Sequence, residues 1–175
     1  MAAERKRVVT LKGKPLSLVG RELRVGDKAP PFSAVDKQWS TVKLSDFKGQ
    51  VVLISSVLSV DTSVCSAQTK RFNEEAAALP GDVVILTISG DLPFALGRFC
   101  GAEGVDRIQV LSDHPAGKFG KAYGVLIKEM GLLARAIFVV DKDGRIAHTQ
   151  IVPEVAEHPD YDAALGAARQ LAIAE

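Results

Sequence analysis

The stretch "QVVLISSVLSVDTSVCSAQTKRF", residues 50–72, passes from a run rich in β-branched residues into a helical pattern, and it carries one of the two cysteines of the chain. "QVVLISSVL", residues 50–58, is nearly continuous in apolar residues, which suits a central strand covered on both faces. A helix is expected from about 63 to 79, with Asp61 or Thr62 as its N-cap, since both residue types cap well. Cys65 then falls in the first helical turn, where unpaired backbone N–H groups and a partial positive charge stabilise a thiolate. That matters because a free cysteine is only about 3% thiolate at neutral pH, and the thiolate is the reactive form. A carboxylate close to the sulfur would work against this, so Asp61 is expected to point away. Packing is the competing reading. Cys65, Phe72, Ala76 and Leu79 share one helical stripe, free cysteine is among the most buried residue types, and taken alone the segment favours a packed thiol.

Outward from this stretch, strand-like and helix-like patterns alternate. "RVVTLKG" and "LSLVGRELRVG" read as an N-terminal hairpin over about 8–18, turned at Gly13-Lys14-Pro15. "APPFSAVDKQWSTVKLSDFKG" reads as two short strands leading to a loop. After the Cys65 helix come a buried strand "DVVILTIS", a helix "PFALGRFCGAEG", a strand "IQVLSD" and a short helix around "GKFGKAYG". "LLARAIFVVDKDGRIAHTQIV" is a hairpin turned at Asp143-Gly144. In the closing helix, Tyr161, Leu165, Ala168 and Ala172 fall on one face. Strands joined by helices and finished by a hairpin and a helix predict an α/β protein with a mixed central sheet flanked by helices.

Composition narrows the functions. With 175 residues, 47% of them hydrophobic and 25% charged, the chain can bury one substantial core, and a single domain over 1–175 is expected. The net charge of +1 offers nucleic acid no general attraction, and Arg5-Lys6-Arg7 reads as a solvated terminus. No apolar stretch of signal-peptide or membrane-span length is present, so no membrane role and a cytoplasmic location are the default expectations. Two cysteines are too few for a disulfide scaffold. His114, His148 and His158 lack ligand spacing, and neither a metal nor an organic cofactor is expected.

Arg135, in "GLLARAIFVV", is the residue that weighs against a merely packed Cys65. Leu133, Arg135, Ile137 and Val139 alternate with Leu132, Ala134, Ala136 and Phe138, so both faces of that strand look buried around the arginine. A buried guanidinium is costly unless it meets an anion or good acceptors. A strand beside 50–58 would bring it to the start of the Cys65 helix with the thiolate as its partner. A surface carboxylate near a strand end is the competing partner.

At this point the chain resembles the thiol peroxidase branch of the peroxiredoxins, the atypical two-cysteine class, from about residue 8 to 171. The resemblance is carried by "VGDKAPPF", "LSVDTSVC" followed by "KRFNE", "ISGDLPFALGRFCGAEG", "AYGV", "LLARAIFVVD" and "PDYDAAL". It implies a thioredoxin-like fold with an added N-terminal β-hairpin. Residue by residue, it implies that Cys65 is the peroxidatic cysteine, Thr62 the hydroxyl that helps hold the peroxide, Arg135 the activating arginine and Cys100 the resolving cysteine. The substrates implied are hydrogen peroxide and organic hydroperoxides, with thioredoxin as reductant and a homodimer as the assembly. One position departs from the family's Pro-x-x-x-Thr-x-x-Cys pattern: Leu58 stands where the proline would be. Leucine adds freedom in φ and returns a backbone N–H that needs a partner, so rate and resistance to over-oxidation are the properties expected to respond.

The implied chemistry is attack of the Cys65 thiolate on the terminal peroxide oxygen, leaving a sulfenic acid that Cys100 converts to a disulfide. Cys100 sits among Gly97, Gly101 and Gly104, each able to weaken a helix by up to about 1 kcal/mol, which suits a cysteine that must travel. The residues alone favour Gly101 as a helix C-cap beside a packed Cys100. Two other functions are weighed. A dithiol exchanger is disfavoured because "TSVC" holds no Cys-x-x-Cys pair. A non-catalytic binding module would leave the helix-start thiol, the nearby hydroxyl and the strand arginine each needing a separate explanation.

Overall fold

The computed structural model describes residues 3–173. Strands β1 (Glu4–Leu11) and β2 (Lys14–Val19) form the N-terminal hairpin, and β3 (Ser33–Asp36), β4 (Thr41–Lys43) and a 3-10 turn (Leu44–Phe47) lead into β5 (Val51–Ser56). Then α1 (Ser63–Ala76), β6 (Val83–Ser89), α2 (Pro93–Glu103), β7 (Gln109–Ser112) and α3 (Lys118–Ala122) alternate. The chain continues through β8 (Leu126–Ile127), β9 (Ala136–Val140), β10 (Ile146–Ile151) and α4 (Tyr161–Ile173). Among the described residues no helix is long and apolar enough to cross a membrane.

The main sheet runs β10-β9-β5-β6-β7-β3-β4, with β5 in the interior and all of its residues buried. β5, β6 and β7 are parallel, because helices cross between them, while β9 returns antiparallel to β5. Alternation along β5 divides the core into two layers. Val52 and Ile54 pack with Leu86, Phe138, Phe119 and Tyr123 on the side of α3 and the hairpin. Val51 and Leu53 pack with Phe72, Leu96, Phe99 and Leu165, from α1, α2 and α4, on the other side. Phe72 is fully buried and contributes roughly 2–3 kcal/mol through that burial alone. The mixed sheet with helices on both faces, and the added hairpin on β8, are as expected from the alternating pattern and the resemblance.

Three local expectations are corrected. The hairpin turns at Lys12-Gly13, with φ of 50° and 81°, so Lys14 and Pro15 are already strand, paired with Leu11 and Thr10. Positive φ at both turn residues matches the right-handed strand twist, which favours this tighter turn. Arg5 is not a solvated terminal charge: its guanidinium donates to the carbonyls of Gly20 and Gly124 and ties the hairpin to the loop before β8. Burial accordingly lowers its pKa from the ordinary value. Strand β9 begins at Ala136, one residue after Arg135. Residues 132–134 turn instead toward β8, where Leu133 bridges Leu126 and the Ala134 N–H bonds the Val125 carbonyl.

Candidate active site

β5 ends at Ser56, and the loop that follows delivers the chain to α1 with Thr62 as N-cap in an extended conformation. The Thr62 hydroxyl does not cap the helix. It donates to the Ser59 carbonyl at 3.0 Å, and the Thr62 N–H bonds the same oxygen at 3.1 Å. The amides of the first turn are therefore left without a side-chain cap, which is what an incoming anion or peroxide oxygen requires. Asp61 turns outward to Arg98, 3.1 Å away on α2.

Cys65 is a free thiol with 0% exposure. The stripe it was expected to share with Phe72, Ala76 and Leu79 is broken. Those three pack into the α1–α2–α4 layer, whereas Cys65 joins Val57 and Leu58 in the opposite cluster. The first turn of α1 begins beyond the end of β5, so no strand separates it from the other face there. Leu58 is itself buried in this cluster. Among the described residues the Leu58 N–H makes no hydrogen bond.

Arg135 is 2% exposed and lies beside the start of α1, because Ala136 pairs with Ser56 across β9 and β5. Its hydrogen bonds reach neutral acceptors: Nε donates to the Val155 carbonyl at 2.9 Å and Nη1 to Gln68 Oε1 at 2.7 Å. The expected thiolate is not among its hydrogen-bond partners in this state. Gln68 in turn donates from Nε2 to Ser55 Oγ at 2.7 Å, and it is fully buried. A guanidinium held by neutral groups keeps an uncompensated charge in the interior, ready to favour a developing anion. Tyr161 closes this region. It stacks edge-on with Phe72, lies under Arg71 at 4.4 Å and bonds His158 Nδ1. Burial raises its pKa, Arg135 and Arg71 lower it, and Cys65 adds to the rise.

Cys100 is 5% exposed on α2 and packs in the layer of Phe72, Leu96 and Phe99, opposite the cluster of Cys65. Burial pushes its thiol up, and Lys37 pulls it partly back. Lys37 and Cys100 line one cleft of about 250 Å³ with Asp36, Gln38 and Asp106. The C-cap of α2 is Gly104, with φ of 66°, so Gly101 is an internal helical residue and not the cap.

Sequence reasoning missed Gln68, Asp91 and Asn73. Gln68 had a signal, since it sits four residues before Phe72 on the buried stripe, where a polar side chain must find partners. Asn73 fastens α1 to the end of α2 through Gly104, Asp106 and Arg107. Asp91 accepts from Ser59, Val60 and Ser89.

Residues 24–165 match the Redoxin family. The thiol peroxidase of Bacillus subtilis is 50% identical over 163 residues, covering 93% of this chain and 97% of its own. That of Listeria innocua is 53% identical over 162 residues, covering 93% of this chain and 98% of its own. Among solved structures, a peroxiredoxin-like protein from Aquifex aeolicus superposes with a TM-score of 0.89 at 42% identity, covering 94% of this chain and 97% of that one. A thiol peroxidase from Chromobacterium violaceum gives 0.78 at 28% identity, covering 89% and 91%. A helix-start thiol beside a buried arginine, on a thioredoxin-like sheet and with these relatives over most of its length, identifies the chain as a member of the Redoxin family, in its thiol peroxidase branch.

Proposed function

We propose that the chain is a thiol-dependent peroxidase in which Cys65 attacks hydrogen peroxide or an organic hydroperoxide. The observation that carries this is the buried Arg135, held by neutral acceptors, one of them Gln68 on the helix that carries Cys65. The Cys65 thiolate attacks the terminal peroxide oxygen, the O–O bond breaks, and the departing oxygen takes a proton to leave as water or an alcohol. Arg135 and the uncapped amides of the first turn stabilise the charge that moves from sulfur to the leaving oxygen, and Thr62 Oγ1, whose own proton goes to the Ser59 carbonyl, accepts from the peroxide O–H.

The sulfenic acid then condenses with the Cys100 thiol, forming the S–S bond and releasing water. Two cysteines in opposite packing layers cannot meet without movement, since a disulfide holds its Cα atoms within about 7 Å. Recycling falls to a dithiol reductant of the thioredoxin type, which restores both thiols by exchange. Free thiols recycled in this way suit a reducing compartment, and we assign the protein to the cytoplasm. The exposed Leu92, Phe94 and Trp39, with the two rings 5.2 Å apart, support a homodimer.

One dose of hydrogen peroxide tests the reading. A stoichiometric amount should remove two hydrogens from the intact mass, and peptide mapping should join Cys65 to Cys100. Cys65→Ser should abolish peroxide consumption and keep the fold. Turnover by that variant would refute the assignment.

A further inference from the structure

Asp91 stands at the junction of the two segments that carry the cysteines. Its Oδ1 accepts from Ser59 Oγ at 2.7 Å, and its Oδ2 accepts from the Val60 N–H at 2.9 Å and Ser89 Oγ at 2.7 Å. Its own N–H returns to Ser89 Oγ, and its carbonyl accepts from Ser112 Oγ at 2.6 Å. Asp91 thus binds the β5–α1 loop to the end of β6 through its carboxylate and to the end of β7 through its carbonyl. Two residues further on, Pro93 begins the helix that carries Cys100.

The hold reaches the site through Ser59. The Ser59 carbonyl receives both the N–H and the hydroxyl of Thr62, and the Ser59 hydroxyl also accepts from the Asp61 N–H. Thr62 is the N-cap of α1, so fixing Ser59 fixes the hydroxyl beside the peroxide and the turn that presents Cys65. Hydrogen bonds to an ionised acceptor are about twice as strong as neutral ones, which makes Asp91 the firmest anchor of this loop. The Asp61–Arg98 pair joins the same loop to α2, but it is exposed and contributes little.

We propose that Asp91 is a positioning residue that sets the balance between the two chemical steps: its carboxylate holds the Cys65 loop in the geometry for peroxide attack and must release it for disulfide closure. This rests on the reading that Cys65 is peroxidatic and Cys100 resolving. Attack needs the closed arrangement, with Thr62 oriented and the first turn of α1 formed. Closure needs the reverse, because the Cys65 turn and α2 must leave opposite packing layers and approach each other. A carboxylate that stabilises only the closed state accelerates the first step and retards the second.

The test is rapid-quench mass spectrometry of the full chain, following thiol, sulfenic acid, disulfide and sulfinic acid after mixing with hydrogen peroxide. Asp91→Asn keeps the size of the side chain but removes the charge. It should slow Cys65 oxidation roughly tenfold, the scale of a lost hydrogen bond to a charged group, without slowing closure. The ratio of closure rate to attack rate should therefore rise severalfold, with less sulfinic acid formed per turnover. A general loss of stability would lower both rates together, so a ratio that stays constant or falls overturns the proposal. Ser59→Ala removes one donor to Asp91, together with the acceptor of the exposed Asp61 N–H, and keeps the Asp91 charge; it should move the ratio the same way by a smaller factor, and it decides the matter if Asp91→Asn does not fold. In a Cys100→Ser background, Asp91→Asn should still slow Cys65 oxidation. Absence of a Cys65–Cys100 disulfide in the unaltered protein would instead refute the assignment of the cysteines, an outcome separate from these.

Discussion

Gln68 is held at both ends of its amide, by Arg135 through Oε1 and by Ser55 through Nε2, and its neutrality is chemically useful. A glutamate there would form an ion pair with Arg135 and spend the positive charge on itself. In the proposed mechanism, glutamine orients the guanidinium while leaving that charge available to the thiolate and the transition state. Gln68→Met keeps the volume but removes the acceptor, and it should slow Cys65 oxidation about tenfold to a hundredfold, as expected for a hydrogen bond to a charged group. Gln68→Glu should slow it as well, by neutralising the arginine. Stopped-flow measurement of Cys65 oxidation checks both. Oxidation at the parent rate in the two variants would mean that Arg135 keeps its orientation without Gln68. Gln68 was legible in part, since its place on the buried stripe demanded a partner. The identity of that partner, 67 residues away, was not.

At the scale of an element, the sequence of α2 makes it a weak helix. Its N-terminus has no side-chain cap, and Gly97 and Gly101 lie inside it. Neither glycine is demanded by close packing. A Cβ at Gly101 would meet nothing within 4 Å, and one at Gly97 would meet only the Lys37 Cβ at 3.8 Å. Each glycine weakens the helix by about 0.5–1 kcal/mol relative to alanine. The double variant Gly97→Ala with Gly101→Ala should therefore raise the melting temperature. If α2 unwinds before the disulfide closes, it should also slow closure roughly fivefold to thirtyfold, the factor that corresponds to one to two kcal/mol. Quenched samples should then contain more sulfinic acid at equal peroxide. Trp39, the single tryptophan, lies against Phe94 in the first turn of α2 and gives a fluorescence signal for the same motion. A stabilised helix with an unchanged closure rate would show that α2 moves as a rigid body.

Across the whole molecule, ionisable groups buried in neutral form bound the pH range of stability. His148 is lowered by burial, with Asp160 opposing, so the native state resists its protonation. That contribution is present above the ordinary histidine value, about 6.5, and is lost as pH falls through the lower native one. Cys100, Tyr123 and Tyr161 are raised by burial. Their contribution is complete below the ordinary thiol and phenol values, about 8.5 and 10, and is lost as pH rises toward the native ones. Stability should thus be greatest between about pH 6.5 and 8.5 and decline on both sides, as urea unfolding of the reduced protein would measure. Tyr123→Phe removes the bond from its hydroxyl to the Pro30 carbonyl and should cost about 1 kcal/mol at neutral pH. It should also flatten the decline above pH 10, and an equally steep decline would assign that limb to other groups. The sequence by itself determined the order of strands and helices, the position of Cys65 at a helix start and the burial of Arg135. These follow from periodicity and capping, which act over a few neighbouring residues. Only the tertiary structure decided that Arg135 meets Gln68 and Val155, that Cys65 and Cys100 occupy opposite layers, and that Asp91 holds a loop 32 residues before it. A buried side chain's partner depends on which strands lie side by side and in what register, and that is settled when the segments pack, not by the pattern along any one of them.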